Sequence, residues 1–570
     1  MVYSFRLSFI FLPIFAFLTF IVCKMKKYVI GMDFGTLSLR TVVVDPENGT
    51  EIAESVYQYP HGVMDEALPD GTKLPKMWAL QHPEDYIKAL QKTIPQALRS
   101  AKIKPQQIVG VGVDFTTCTV IPVLEDGTPV CFLPEFKSEP NAYVKLWKHH
   151  GAWKEADKIN GILEKLDPER LAVYGGKVSS EWMLPKIAET LNLAPAVYEK
   201  ADRFMDAGDW ISLILTGKET RAKCFAGFKA CWTASGGYPS KAVLEAIDPR
   251  MKDLIGTKIP EKVNEPEEIA GYISEKASEL TSLPVGTPVS MPMIDAQAGL
   301  PALKITESGQ MMHILGTSAC LITNFDEAKT VKGVSGYVEN AVFPGCTTYE
   351  AGQACVGDGF DWFVKNYVPE KYMKEADEKN VSIHEILRRK ASKLRPGQSG
   401  LLALDWLNGN RSVLDDSSLS GMILGLTLTT KPEEIYRAII ESTAFGARVI
   451  IEAFESHGIA VNEIFAAGGI AKKDEMMMQI YADVLHRPIK IADTSQAGAL
   501  GSAINAAAAS GLYSNLRKAA AVMGRSYKKI YSPKAENVEI YEKLYAEYKI
   551  LHDYFGRGGN DVMKRLQNLK

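Results

Sequence analysis

The sequence predicts an α/β protein of two lobes with a ligand cleft between them, and three observations carry that prediction. Tyr28 to Asp45 reads Y-V-I-G-M-D-F-G-T-L-S-L-R-T-V-V-V-D, two short apolar, β-branched runs around a polar, glycine-containing turn, which is the pattern of a hairpin. Met311 to Phe325, M-M-H-I-L-G-T-S-A-C-L-I-T-N-F, repeats strand, Gly-Thr-Ser turn and strand in the other half of the chain. With 570 residues the chain is too long for one hydrophobic core, so at least two domains are required.

The first loop has the chemistry of a phosphate site. Gly35 lets backbone N–H groups approach an anion, Thr36 and Ser38 add hydroxyl donors, Arg40 adds a fixed positive charge, and Asp33 is a carboxylate able to reach a magnesium ion or its waters. An ordinary Asp-Gly turn would use the same residues. The second loop, at Gly316 and Thr317, favours the phosphate reading, because one hairpin in each half is what an ATPase closing on a triphosphate from both sides needs.

Composition is that of an ordinary globular protein without repeats or low-complexity tracts, and a net charge of -3 gives no electrostatic footprint for nucleic acid. The eight cysteines are scattered without a C-x-x-C pair, which suits a reducing cytosol, and the nine histidines show no metal-ligand spacing. Residues 1–24 form a leader. Leu7 to Cys23 is almost wholly apolar between Arg6 and Lys24, Lys26 and Lys27, a marginal membrane span or signal-like segment whose heavier basic flank would leave the body of the protein in the cytoplasm. The favoured reading starts the protein at Met25, because Met25-Lys-Lys runs directly into the first strand. A cytoplasmic protein is therefore expected, touching a membrane only if the leader is real.

Further along, G-V-G-V-D-F-T-T-C-T (Gly110 to Thr119) is a buried strand ending in Asp114 and a hydroxyl cluster that includes Thr117, and such strand ends point into ligand crevices in α/β folds. A Thr-rich strand end without function reads the same way. Pro134 to His150 predicts a Pro-bounded loop leading into a helix with Trp147, either a sugar platform or a core anchor. Lys229 lies among small and aromatic residues in A-G-F-K-A-C-W, snorkelling to solvent or aimed at a polar ligand. In G-T-P-V-S-M-P-M-I-D-A-Q-A-G-L-P an apolar run stops at Asp295, which places a carboxylate at a strand end facing a cleft or at a helix N-cap. Glu350, before a glycine in T-T-Y-E-A-G-Q-A, is another cleft candidate.

From Gly421 the pattern is a strand and a long helix, with Thr430 and Glu433 as capping box and Pro432 in the first turn. Ala466 to Leu485 reads as strand, Gly-Gly turn and helix, where Gly468 and Gly469 would let a nucleotide lie on bare backbone. The last helix, Glu536 to Phe555, is expected to pack through Ile540, Leu544, Tyr548, Leu551 and Phe555.

Over essentially all residues from about Met25 to Phe555 the sequence resembles the FGGY carbohydrate kinases. The family pattern G-x-I-x-G-L, then E-I-x-x-A-I-I-E, appears at Gly421, Ile423, Gly425 and Leu426, then Glu434, Ile435, Ala438, Ile439, Ile440 and Glu441. P-E-F-x-x-x-P-N-A, L-W-K-x-H, G-G-x-x-S-S-E-W, A-G-x-K, T-Y-E-A-G-Q and L-D-W-x-N-G-x-R (Leu404 to Arg411) narrow the resemblance to its pentulose branch. The resemblance implies an actin-like, RNase H-like ATPase fold, with a sugar-binding lobe over 25–290, a nucleotide-binding lobe over 291–555 and a polar tail over 556–570. It implies ATP and Mg²⁺ as cofactors and phosphorylation of L-ribulose at its 5-hydroxyl, as in L-arabinose catabolism. Another pentulose or polyol kinase, and more distantly a non-kinase actin-like ATPase, are the alternatives. Asp295 falls at the family's catalytic base, Lys229 and Glu350 at sugar positions beside Thr117 and Trp147, and Thr36, Ser38, Arg40 and Thr317 at phosphate positions. Gly468 and Gly469 match the adenosine-side turn. Gln297 stands where relatives often have His, and Asp474 where many have Asn. Oligomeric state stays open, a homodimer included.

Overall fold

The computed structural model describes residues 25–494 and 496–569, so the apolar segment Leu7 to Cys23 lies outside the described residues. Two sheets dominate, and their centres are built alike. In the first, Tyr28–Phe34 pairs antiparallel with Ser38–Asp45 and parallel with Ile108–Phe115; in the second, Gln310–Leu315 pairs antiparallel with Ala319–Phe325 and parallel with Glu463–Ala467. Both hairpins therefore stand where the sequence predicted them. Thr50–Gln58 extends the first sheet on one side and Pro288–Ser290 and Ile269–Tyr272 on the other, while Thr347–Gln353 and Tyr337–Glu339 flank the second hairpin. A smaller four-stranded sheet of Leu80–Gln81, Val144–Lys145, Val120–Val123 and Arg203–Asp206 carries its own core, covered by helices that include Met183–Leu193.

Two helices join the large sheets. Asp295–Ala302 links the first sheet to Gln310–Leu315, and Ala497–Ala509 follows Ile489–Ala492 of the second sheet yet packs on Tyr28–Phe34 and Ile108–Phe115 of the first. The packing is backbone on backbone. A Cβ at Gly31 would stand 1.9 Å from the Ala499 carbonyl oxygen, one at Gly112 1.9 Å from that of Ser502, and one at Gly501 1.7 Å from that of Ala298. Ala499, Ala503 and Ala298 thus share one core with Val29 and Val113, on strands far away in sequence.

Four local expectations are corrected. Trp147 is not helical: it follows Val144–Lys145 in a turn, because the Leu146 and His150 N–H groups donate to the carbonyls of Ala79 and Met77 rather than along a helix. The long helix Pro432–Ser456 does begin with Pro432, but its first N–H groups are met one residue later than expected: Glu434 accepts from the Lys431 N–H at 2.7 Å, and the Thr430 hydroxyl accepts from Thr427 instead. The segment after Gly468 is two helices, Gly469–Lys473 and Glu475–Leu485, broken at Asp474. The final helix, Ala535–Gly556, buries Tyr541, Tyr545, Tyr548 and His552, while Ile540, Leu544, Leu551 and Phe555 are only half-buried. The reason is polar: the hydroxyls of Tyr541, Tyr545 and Tyr548 reach Glu441, Glu452 and Asp405. Beyond it a short helix, Val562–Gln567, buries Met563.

Gly501→Ala forces a methyl group into the Ala298 backbone, and overpacking of this kind typically costs about 1–3 kcal/mol. The variant is expected to melt several degrees lower than the parent in a calorimetric scan; an unchanged melting temperature would show that the two helices part easily.

Candidate functional site

The two hairpin loops are closed in the same manner, the Gly35 N–H donating to the Ser38 carbonyl and the Gly316 N–H to that of Ser318, each at 3.0 Å. Thr36 is held from outside: Gln81 donates to its carbonyl at 2.6 Å, and the Trp147 indole N–H donates to its hydroxyl at 3.1 Å. Arg40 lies opposite Asp33 in register, and its Nε is buried without a partner among the described residues. In the second loop the Gly316 and Thr317 carbonyls accept from the N–H groups of Gly357 and Val356, which seats the start of the helix Gly357–Tyr367 beneath the loop. Gly468, with φ of 95°, fits against the same loop, since a Cβ there would lie 2.3 Å from the Leu315 carbonyl oxygen. Gly469 has open space before it. Thr36, Ser38, Arg40, Thr317, Gly468 and Gly469 thus edge the two hairpins.

Three carboxyl groups converge at the end of the first sheet. Parallel pairing sets Asp33 opposite Asp114, and Met293–Ile294, paired to the end of the same strand, delivers Asp295 at the first position of its helix. Ile294, not Asp295, is the N-cap residue. Withdrawal from water raises Asp33, while Asp114 and Arg40 oppose that shift. Asp114 is raised well above the usual carboxylate range by burial and by the Asp33 charge, although its Oδ2 accepts from the Ser502 hydroxyl at 2.6 Å. Asp295 is pushed up to about 7 by loss of solvent, then by the Asp33 charge. Such a carboxyl takes up a proton near neutral pH, as a general base must.

Beside Asp295 a polar link ties the lobes together. Lys229, the last residue of the helix Lys223–Lys229, lies 2.6 Å from Glu350 on the strand Thr347–Gln353, and Gln297 donates to the other Glu350 oxygen at 3.0 Å. Lys229 is buried rather than snorkelling, 5.5 Å from the centre of the Trp182 ring. Thr117 is half-buried in the loop after Ile108–Phe115, and its neighbour Cys118 feels the Lys229 charge. Arg411, whose guanidinium is 3.8 Å from Glu181 and is influenced by Glu350, completes the ring.

Gln297, Arg411 and Glu181 stand in this group although residue-by-residue reasoning did not nominate them as site residues, and Asp114, read from the sequence as a strand-end residue of a ligand crevice, stands beside Asp33. The end of L-D-W-x-N-G-x-R for Arg411, and of the G-V-G-V-D strand for Asp114, were the available signals. Asp474 caps the helix Glu475–Leu485, accepting from the Met477 N–H at 2.9 Å, so its carboxylate is committed to the backbone. A cavity of about 330 Å³ against the Gly357–Tyr367 helix, with Trp362, Leu407 and Ile439 in its wall, contains none of these groups.

The donor set fits a divalent cation. Asp33 and Asp114 crowd together, each raised in pKa, and the buried Asp114 Oδ1 has no hydrogen-bond partner among the described residues. No group of three or more His, Cys, Asp or Glu among the described residues could hold a metal by itself, so phosphate oxygens and water would complete the shell, as is usual for Mg²⁺.

Comparison with known proteins gives a consistent picture. The FGGY family of carbohydrate kinases matches through its N-terminal domain over 28–301 and its C-terminal domain over 311–510. The chain is 48% identical over 539 residues to ribulokinase of Bacillus licheniformis, covering 94% of this chain and 98% of that protein, and 48% identical over 551 residues to ribulokinase of Geobacillus thermodenitrificans, covering 96% and 97%. Ribulokinase of Staphylococcus aureus strain Newman is 41% identical over 544 residues, 95% of this chain and 99% of that protein. Among solved structures, a ligand-bound xylulose kinase from Lactobacillus acidophilus superposes with a TM-score of 0.77 at 18% identity, covering 93% of this chain and 99% of that one. Xylulose kinase from Rhodospirillum rubrum gives 0.75 at 21%, covering 92% and 98%. The fold is the two-lobed, actin-like ATPase fold expected from the sequence.

Asp295 also predicts a stability signature. Its pKa is raised by folding, so the folded chain retains a proton that the unfolded chain releases near pH 4, and stability falls as pH rises from about 4 to about 7. In the absence of ligands Asp295→Asn is expected to melt higher than the parent at pH 8, with the gap shrinking at pH 5. Equal melting temperatures at pH 8 would mean that the carboxyl is solvated.

Proposed function

The chain belongs to the FGGY family of carbohydrate kinases, and from that membership and the Asp295 geometry we infer that it transfers the terminal phosphoryl group of ATP to the 5-hydroxyl of L-ribulose. One observation supports the chemistry: a carboxyl with its pKa moved to about 7 stands at the end of a strand in the sheet of the first hairpin, within reach of the Asp33 and Glu350 charges, and Glu350 is paired with the buried Lys229.

In this reading Asp295 takes the proton of the attacking hydroxyl, and Lys229, Glu350 and Gln297 orient the sugar, with Thr117 and Trp147 as its wall. Gly35, Thr36, Ser38 and Arg40 on one side and Gly316 and Thr317 on the other hold the triphosphate in line, and Gly468 and Gly469 carry the adenosine. Arg40 neutralises charge on the phosphates. Asp33 and Asp114 would hold Mg²⁺, which supplies charge neutralisation at the phosphates when bound. Closing the lobes excludes water, without which ATP would be hydrolysed unproductively. Conversion of L-ribulose to its 5-phosphate suits L-arabinose catabolism. Among the described residues no helix is long and apolar enough to cross a membrane.

ADP release over a panel of ketopentoses, polyols and sugar acids is expected to give the highest kcat/KM with L-ribulose; a different best substrate would reassign the sugar within the family. Asp295→Asn keeps the side-chain shape but removes the proton acceptor, so kcat should fall by about 10²-fold to 10⁴-fold with the sugar KM changed far less. Near-normal turnover in a stable variant would sink the assignment of the base. The parent kcat/KM should decline as pH falls below about 7, where Asp295 becomes protonated. Lys229→Ala and Glu350→Ala should each raise the sugar KM much more than the ATP KM; equal rises would move both residues out of the sugar site.

A further inference from the structure

The helix Met183–Leu193 holds a buried charged group that the reaction does not use. Lys186 is 1% exposed, and its ammonium donates to the Cys118 carbonyl at 2.6 Å and to the Leu146 carbonyl at 2.7 Å. These two carbonyls belong to different loops. Cys118 directly follows Thr117, and Leu146 directly precedes Trp147. One turn further along the helix, Glu189 accepts from the Lys145 ammonium at 2.6 Å and lies 2.7 Å from His149 Nε2 through the same oxygen. Lys145 is secured again by the Thr190 hydroxyl at 2.8 Å. Glu189 therefore grips both ends of the five-residue stretch Lys145 to His149, and Lys186 pins Leu146 within it.

The two anchored loops need such a hold. Cys118 sits in the left-handed region at φ of 53°, unusual for a residue with a side chain, and the turn at Leu146 and Trp147 lies outside any helix. A buried ion cluster is a poor way to add stability, since well-packed apolar side chains of the same volume usually do as well or better. What it supplies here is direction, because donors aimed at particular carbonyls fix the peptide planes on which the neighbouring side chains depend.

We propose that Lys186, with Lys145, His149 and Glu189, is the positioning device that sets Thr117 and Trp147 against the sugar. The proposal rests on the kinase reading above. Lys186 acts through the two loops and is not a catalytic residue.

Lys186→Met keeps the length and apolar stem of the side chain and strips its donors. The sugar KM is expected to rise about tenfold or more and by clearly more than the ATP KM, which moves less although Trp147 also bonds Thr36 of the first hairpin, and Lys186→Arg, which restores donors, should recover most of the loss. An unchanged sugar KM in folded Lys186→Met, or an equal rise of both KM values, overturns the proposal and leaves a structural lysine. Should Lys186→Met fail to fold, Glu189→Gln, which weakens the grip on Lys145 and His149, is read by the same split, and an unchanged sugar KM there overturns it equally. The parent is measured first. A parent inactive on every sugar in the panel is a failure of the kinase reading and takes the proposal with it, whereas an active parent with an unmoved variant defeats the proposal alone.

Discussion

The site depends on a contact that involves almost no side chains. Gly31 and Gly112 let the helix Ala497–Ala509 lie directly on the first sheet, and Gly501 lets the helix Asp295–Ala302 lie directly on that helix. Any methyl group at these points would separate elements from opposite halves of the chain. Strand pairing in the first sheet brings Asp33, Asp114 and Asp295 from three separate stretches of sequence to one place, and with the helix in contact Ser502 is close enough to bond Asp114. The geometry of the acids is thus set by backbone packing, which is stiffer than any arrangement of rotamers could be.

That stiffness has an electrostatic consequence. Three carboxyl groups held together with little water cannot all ionise at ordinary cost, and each is displaced upward in pKa. Arg40 opposes the shift at Asp33 from the neighbouring strand. On the sugar side the balance is different, because Lys229 and Glu350 are of opposite sign and satisfy each other. The cleft therefore has a strained acidic end, suited to a cation and a proton transfer, and a neutralised end, suited to a polyhydroxylated molecule.

Features written in contiguous residues were legible in the sequence. Both hairpins announced themselves by glycine turns between β-branched runs, and Asp295 by an apolar run that stops at an acid. What failed was whatever distant backbone decides. Trp147 was read as helical after a Pro-bounded loop, but the neighbouring N–H groups of Leu146 and His150 are taken by residues about seventy positions earlier. The final helix was assigned a stripe of Ile540, Leu544, Tyr548, Leu551 and Phe555, of which Tyr548 is buried, whereas tyrosines reaching buried acids turn a neighbouring face inward. Lys186 and Glu189 had no signal in the sequence, since nothing local says that two loops lie across them. Arg411 and Gln297 become part of the site only once the second sheet is placed against the first.

The Lys229–Glu350–Gln297 link also determines how a guest is received. These groups are already bonded to one another, so in the proposed sugar site an arriving sugar would enter by exchange, each hydroxyl replacing a contact that the protein gives up. Exchange of this kind yields modest net affinity, because bonds are swapped rather than added. It is unforgiving toward imperfect guests, since a molecule that parts the pair without supplying both a donor and an acceptor leaves a buried charge bare. Discrimination at this end of the cleft is thus enforced by the cost of opening an ion pair, and the empty cleft guards itself against molecules that merely fit.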